Sequence, residues 1–335
     1  GAGYHVLLFL QTPDNVIDLT MLYLRLIFAG VPIIAAYNIF AAILRALGNS
    51  RSPLIAMTVA AVINVGLDLL FVAVFGWGVA GAAVATVIAQ GFSALYCLLV
   101  LRKIRDIRLE KEDFYRQPSM SLRLLKLGTP LAIQNVIISV GGLTVQYVIN
   151  GFGFLFVAGF TATNKLYGIL EMAAVSYGYA ITTYVGQNLG AKKIDRIKKG
   201  YHAALVLDVC FAVLAFLVIE TLHTQISSLF LGKDGTAFAY QVSGDYMRWI
   251  GYFFIFMGIK MATDGVLRGL GIMRPFLVAN IVNLAIRLSV ALICAPRFGI
   301  AFVWLAVPVG WLANFLISYV ALRRSWPTDK MASIS

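Results

Sequence analysis

The chain has 335 residues, of which 60% are hydrophobic and 13% charged, and its mean hydropathy is +0.86. Soluble domains are about a quarter charged, so a soluble enzyme or binding module is excluded and an all-α integral membrane protein is indicated. The formal net charge of +12, from 27 Lys and Arg against 15 Asp and Glu, suits nucleic acid only if the bases cluster on one surface.

In chain order, GAGYHVLLFL (1–10) reads as the end of an apolar span. Nine stretches of roughly 20 residues follow, each long enough to cross a ~30 Å hydrocarbon core as a helix. They lie near 18–43, 53–75, 78–101, 127–150, 154–184, 200–222, 244–266, 275–296 and 299–321. The first ends in LRALGNSRSP and the seventh in LRGLGIMRP. Between the third and fourth runs a charged loop, 102–126, with eight bases and the acids Asp106, Glu110, Glu112 and Asp113. The turn after the fifth, VGQNLGAKKIDRIKKG, is basic and glycine-bent. Its Lys192 is outside a G-x-x-x-x-G-K-[ST] frame and no strand precedes it, so no nucleotide site is expected. Cys97, Cys210 and Cys294 each sit inside an apolar stretch without a C-x-x-C partner, and the histidines are scattered. Neither a disulfide framework nor a zinc or catalytic cluster is expected.

The bases alternate by loop. Arg45 and Arg51, the bases of 102–126, those of 192–199, Arg268 and Arg274, and Arg323, Arg324 and Lys330 fall on every second loop, whereas the intervening loops hold Lys233 and Arg297. Short loops rich in Lys and Arg stay cytoplasmic. The positive charge therefore encodes a multi-pass topology in the cytoplasmic membrane with a cytoplasmic carboxyl terminus, and nucleic acid is set aside as a partner.

Shifted by 223 positions, residues 23–76 align with 246–299 without a gap, with 15 identities in 54 columns. Leu44-Arg45 meets Leu267-Arg268, Gly48 meets Gly271, Arg51 meets Arg274, and Phe75-Gly76 meets Phe298-Gly299. Both copies of the LRxLG phrase fall on basic loops, so the repeat is parallel, relating two halves of the same orientation. In each copy the arginine ends an apolar span at the interface and the glycine supplies a helix-stopping turn. Residues 123–223 carry three spans with no counterpart ahead of Gly1, and the repeat period predicts about 100 further residues there. The expected organisation is an incomplete amino-terminal lobe (1–101), a cytoplasmic linker (102–126), a carboxyl-terminal lobe (127–322) and a tail (323–335).

Polar groups inside a membrane are costly and are by default functional candidates. Asn64 and Asp68 are four apart and share a helix face. Asp68 lies nine residues before Trp77 and Thr86 nine after it, which predicts equal depth on adjacent antiparallel helices. An amide, a carboxylate and a hydroxyl at one level suit a hard cation, Na⁺ among them, or a proton; an interhelical hydrogen-bond clamp is the alternative. The repeat places Arg287 opposite Asn64 and Ala291 opposite Asp68, so the fold does not demand this set twice. In the second half, Gln134, Asn135, Tyr147 and Glu171 are candidate substrate-cavity residues. Lys165 and Asp208 fall at similar depth on successive spans, and Lys260 and Asp264 are an i, i+4 pair, both more consistent with scaffolding.

YLRLIFAGVP followed by LRALGNSRSP, NVGLDLLFVAVFGWGVAGAAVAT, LGTP at 127–130 and VGQNLGAKKIDRIKKG together resemble the multidrug and toxic compound extrusion (MATE) family, over about residues 10–326. The resemblance implies a twelve-helix antiporter of two six-helix lobes that exports organic cations in exchange for Na⁺ or H⁺. It implies no enzymatic activity and no cofactor beyond the coupling ion. The partners implied are a small organic cation and the bilayer, with no nucleotide, and a monomer is expected. It also implies that Asn64, Asp68 and Thr86 line an amino-lobe cation or proton site, completed by an acid on a helix ahead of this chain. Some members place acids early in the seventh helix and deep in the tenth. Gln134 and Asn135 in the seventh depart from that pattern and disfavour such an ion site in the carboxyl lobe. A lipid-linked saccharide or lipid flippase of the same broad superfamily is the alternative function, although it would want a more basic cavity.

Overall fold

The computed structural model describes residues 14–104, 115, 117–151, 153–232, 235–299 and 301–326. The expected partial span 1–10 lies outside them, as do 105–114 of the linker and 327–335 of the tail. Among the described residues the regular structure is entirely helical, because a backbone surrounded by lipid must satisfy its hydrogen bonds internally. The chain divides into two compact units, Gly1–Arg116 and Gln117–Ser335.

The first unit holds α1 (Asp14–Ala46), α2 (Arg51–Asp68), continued by a π-helical segment (Leu69–Val74), and α3 (Gly78–Lys103). The second holds α4 (Pro118–Asn150), α5 (Phe154–Gly190), α6 (Ile194–Leu231), α7 (Ala237–Gly269) and α8 (Met273–Ser289). A π-helical segment (Val290–Cys294) continues α8, and the short α9 (Ala295–Phe298) and α10 (Ala301–Arg324) complete the unit. Among the described residues eight helices are long and apolar enough to cross a membrane. The fifth expected span, 154–184, forms α5, 37 residues long and about 55 Å at 1.5 Å per residue. It is not among those eight, since Thr163, Asn164, Lys165, Glu171 and Thr182 lower its apolar character.

The helices overrun the apolar stretches that announce them. The run 127–150 begins as a helix at Pro118, whose missing N–H is tolerated in a first turn, so residues 118–126 of the expected linker are helical. The run 200–222 extends to Ile194–Leu231. Hydropathy marks only the part inside hydrocarbon, whereas the backbone hydrogen-bond ladder continues into the interfacial layer.

The repeated LRxLG phrase forms the same turn twice. Asn49 N–H donates to the Leu44 carbonyl (2.9 Å) and Gly48 N–H to that of Arg45 (3.0 Å); Ile272 donates to Leu267 (2.9 Å) and Gly271 to Arg268 (3.0 Å). Gly48 and Gly271 adopt φ of +85° and +74°, the left-handed geometry of a Schellman helix stop. Both copies also carry a π-helical segment near the far end of their second helix.

In the second unit α7 is the central helix, with 67% of its most apolar window buried. It runs parallel to α5, and the two backbones approach closely at glycines. A Cβ on Gly265 would stand 2.6 Å from the Gly178 carbonyl oxygen, and one on Gly269 2.8 Å from that of Thr182. Gly265 and Gly269 are spaced as in the small-xxx-small contacts that bring membrane helices together. Thr182 Oγ1 donates across this seam to the Gly265 carbonyl (3.0 Å). Thr163 and Ser243 join the same two helices near their other ends, hydroxyl to hydroxyl at 3.1 Å.

Candidate ion-binding and substrate sites

In the first unit α2 and α3 pack side by side, and two contacts fix their register. The Ser93 hydroxyl donates to the Ala56 carbonyl (3.3 Å), and Gly81 sits against Phe71. Equal spacing from Trp77 therefore does not mean equal depth. The π-helical segment takes up extra residues in α2, and Thr86 comes level with Asn64, about one helical turn from Asp68. This corrects the sequence expectation while keeping the three residues on neighbouring turns of touching helices. Gln90, four residues beyond Thr86, extends the polar ladder by another turn; its i, i+4 spacing from Thr86 was the available signal.

These side chains are half-buried, and three carry polar atoms that lie buried without a hydrogen-bond partner among the described residues: Asn64 Nδ2, Asp68 Oδ1 and Gln90 Oε1. Turning an amide by 180° exchanges its oxygen and nitrogen, so Asn64 can present either. Thr86 commits its proton to the Ala82 carbonyl (2.9 Å), which leaves its oxygen lone pairs to accept. A carboxylate oxygen, amide oxygens and a hydroxyl oxygen without protein partners form the donor set of a hard monovalent cation or a proton. A hydrogen-bond clamp would show these groups bonded to one another across the helix pair, and no such bond is present among the described residues.

One acid of the second unit is held differently. Asp264, 1% exposed, is surrounded: Lys260 Nζ is 3.3 Å from Oδ2, Ser318 Oγ donates to Oδ1 (2.7 Å) and Asn280 Nδ2 to Oδ2 (3.4 Å). Gln134 Nε2 donates in turn to Asn280 Oδ1 (3.0 Å). Gln134 is thus held in this buried network. Its i, i+4 ion pair is the one the sequence pointed to, and the Lys260 ammonium occupies the place a bound cation would take. At the shift of 223 its equivalents in the first unit are Tyr37 and Ala41, both buried and uncharged.

Glu171 lines a cavity of about 260 Å³ with Tyr167, Asn164, Gln146, Tyr246 and Arg287. Tyr167 Oη donates to Glu171 Oε1 (3.4 Å). Glu171 and Arg287 form no ion pair within 4 Å, so the cavity presents both charge signs between aromatic walls. A smaller void of about 40 Å³, bordered by Glu171, Arg287, Asn283 and Lys260, adjoins the same residues and has room for one to three waters. The other expected cavity residues do not line these spaces: Asn135 is exposed and Tyr147 is 77% exposed. Lys165 is not beside Asp208 either; its ammonium lies 5.7 Å from the Phe230 ring centroid. Asp208, 2% exposed, packs instead against Gly258, and its Oδ2 has no partner among the described residues.

Apolar spanning helices in two repeat-related units, with polar groups concentrated on a few helix faces, define a polytopic helical membrane protein. The family model MatE matches residues 2–70 and 130–293, and the chain belongs to that family, one of membrane transporters rather than enzymes. A relative from Bacillus subtilis, the probable multidrug resistance protein YpnP, is 31% identical over 275 residues; the match covers 82% of this chain and 61% of that protein. YoeA of the same organism, also a probable multidrug resistance protein, is 25% identical over 98% of this chain and 73% of its own length. Among solved structures, a MOP superfamily transporter from Pyrococcus furiosus shares the fold with a TM-score of 0.90 at 21% identity, covering 98% of this chain and 74% of that one.

Proposed function

We propose that this protein exports small organic cations across the cytoplasmic membrane in exchange for Na⁺ or H⁺. Asp68, Asn64, Thr86 and Gln90 bind the coupling ion, and Glu171 supplies the counter-charge to the substrate in its aromatic-walled cavity. The observation that carries the reading is the buried Asp68 carboxylate oxygen without a partner among the described residues, one turn from the similarly unpartnered Asn64 amide. The multidrug resistance names of YpnP and YoeA support the substrate class. The protein works as a monomer with its carboxyl terminus in the cytoplasm.

Exchange requires the ion to bind one conformational state more tightly than the other, because a ligand indifferent to the two states shifts nothing. Asp68 provides that difference when its carboxylate is neutralised in one state and exposed to water in the other. The test is drug uptake into everted vesicles from cells expressing the protein. Asp68→Asn keeps size and hydrogen bonding but removes the charge, so the protein assembles and gradient-driven uptake is lost. Normal assembly with unchanged dependence on both the Na⁺ and H⁺ gradients would assign the cluster to helix clamping instead.

A further inference from the structure

A basic groove of the second unit lies away from the cavities at Glu171. It is a groove of about 500 Å³ between the start of α6 and the end of α10. Its rim carries Lys198, His202 and Arg323, all exposed. Asp195, the nearest acid on α6, does not line it. Arg323 is held in place by Tyr319: its Nε donates to the phenol oxygen (2.9 Å) and its guanidinium carbon stands 5.3 Å from the ring centroid. Neither Lys198 nor Arg323 forms an ion pair within 4 Å among the described residues.

The groove changes character with depth. Lys198 and His202 precede the apolar run of α6, and Leu205 begins it; Arg323 ends the apolar run of α10, one turn beyond Tyr319. Trp326 closes the rim at the same level. Bases and a tryptophan at the boundary, with Leu205 about one turn further in and Leu322 next to Arg323 in the wall, fit a molecule with an anionic head and an apolar body. A free anion would engage only the upper part. We propose that this groove is a binding site for an anionic phospholipid, its phosphodiester held by Lys198, His202 and Arg323 and its first chain carbons laid along Leu205 and Leu322. Basic pockets between helices at the cytoplasmic face are suited to such head groups, and a positioned guanidinium is the preferred partner of a phosphate.

Arg324 provides the internal control. It is adjacent in sequence but lines a separate groove on the other flank of α10, with Pro275 and Val320. The chain is purified in a neutral detergent and stripped of lipid. Thermal unfolding is then followed with phosphatidylglycerol, with phosphatidylcholine and with inorganic phosphate, and retained lipid is counted by native mass spectrometry. Phosphatidylglycerol should raise Tm by at least about 3 °C and remain bound, while phosphatidylcholine and phosphate should do neither. The double variant K198Q/R323Q should lose both effects and R324Q should keep them. The proposal is overturned if K198Q/R323Q responds like the parent chain, if R324Q loses the response equally, or if phosphate alone reproduces the shift.

Discussion

Asp68 and Asp264 are both carboxylates inside spanning helices, yet one has an oxygen without a partner and the other has all of its partners supplied by the protein. That contrast separates a group available to a mobile ion from a structural one. Replacing Thr86 by Val removes a hydroxyl ligand that matters to a metal ion and little to a carboxyl proton. Thr86→Val should therefore weaken Na⁺ binding several-fold while leaving proton-driven exchange near normal, measured as ²²Na⁺ binding beside pH-gradient-driven uptake. Gln90→Leu tests the newly found member of the set and should also lower Na⁺ affinity. Lys260→Met should be harsher on folding than either, because it strands a buried carboxylate, at a cost of about 3–5 kcal/mol. Adding Asp264→Leu to it should restore most of the lost Tm. Spacing put Asn64 and Asp68 on one helix face and Thr86 on the next helix, but it misjudged the level of Thr86, which only the contacts between α2 and α3 reveal. Gln90 shares a face with Thr86 by its i, i+4 spacing, but that spacing gains meaning only once its neighbour across the helix pair is known.

Helix existence and order were readable from apolar length, and the ends were not. Pro118 and Ile194 start helices in polar sequence because the hydrogen-bond ladder outlasts the hydrocarbon. The π-helical segments were invisible for a related reason: Leu69–Val74 is as apolar as the helix before it, so composition carries no trace of the changed winding. The altered register of α2 against α3 follows from it. Deleting Val72 should return this stretch to regular α-helix, keep the span apolar, and turn Asn64 and Asp68 relative to the outer turn at Trp77. The expected result is a folded protein by circular dichroism with Na⁺ binding lost. The α5–α7 seam makes a sharper demand. Gly265→Leu would drive a side chain into the Gly178 carbonyl, and the pair has no lateral freedom while Thr182 and Thr163 bridge it. A fall in Tm of at least several degrees in detergent is expected, against little change for Gly168→Ala, whose Cβ would meet open space.

Across the whole molecule the repeat conserves turns and winding while exchanging the chemistry. Gly48 and Gly271 stop helices identically, but Asn64 is answered by Arg287 and Tyr37 by Lys260. Shape is thus inherited by both units, whereas charge is assigned separately to each. The topology implied by the alternating basic loops can be checked directly. In a cysteine-free background, Asn49→Cys, Lys193→Cys and Ile272→Cys should react with a membrane-impermeant maleimide only in everted vesicles. Trp77→Cys and Phe298→Cys should react only in intact cells. A residue labelled from the opposite side would refute the assignment for its loop.

The Lys260 ammonium is covalently tethered to the helix that carries its carboxylate, so it cannot dissociate into either compartment. On the proposed exchange reading, the Lys260–Asp264 pair completes every cycle with its own counter-ion aboard, and the coupling ion is exchanged at Asp68 in the first unit. One monovalent ion then enters for each monovalent organic cation that leaves. Such a cycle is electrically silent: its end point is set by the Na⁺ or H⁺ concentration ratio and not by membrane voltage. Collapsing the potential with valinomycin and K⁺ should leave steady-state drug accumulation unchanged, whereas freeing Asp264 by Lys260→Gln should make accumulation voltage-sensitive.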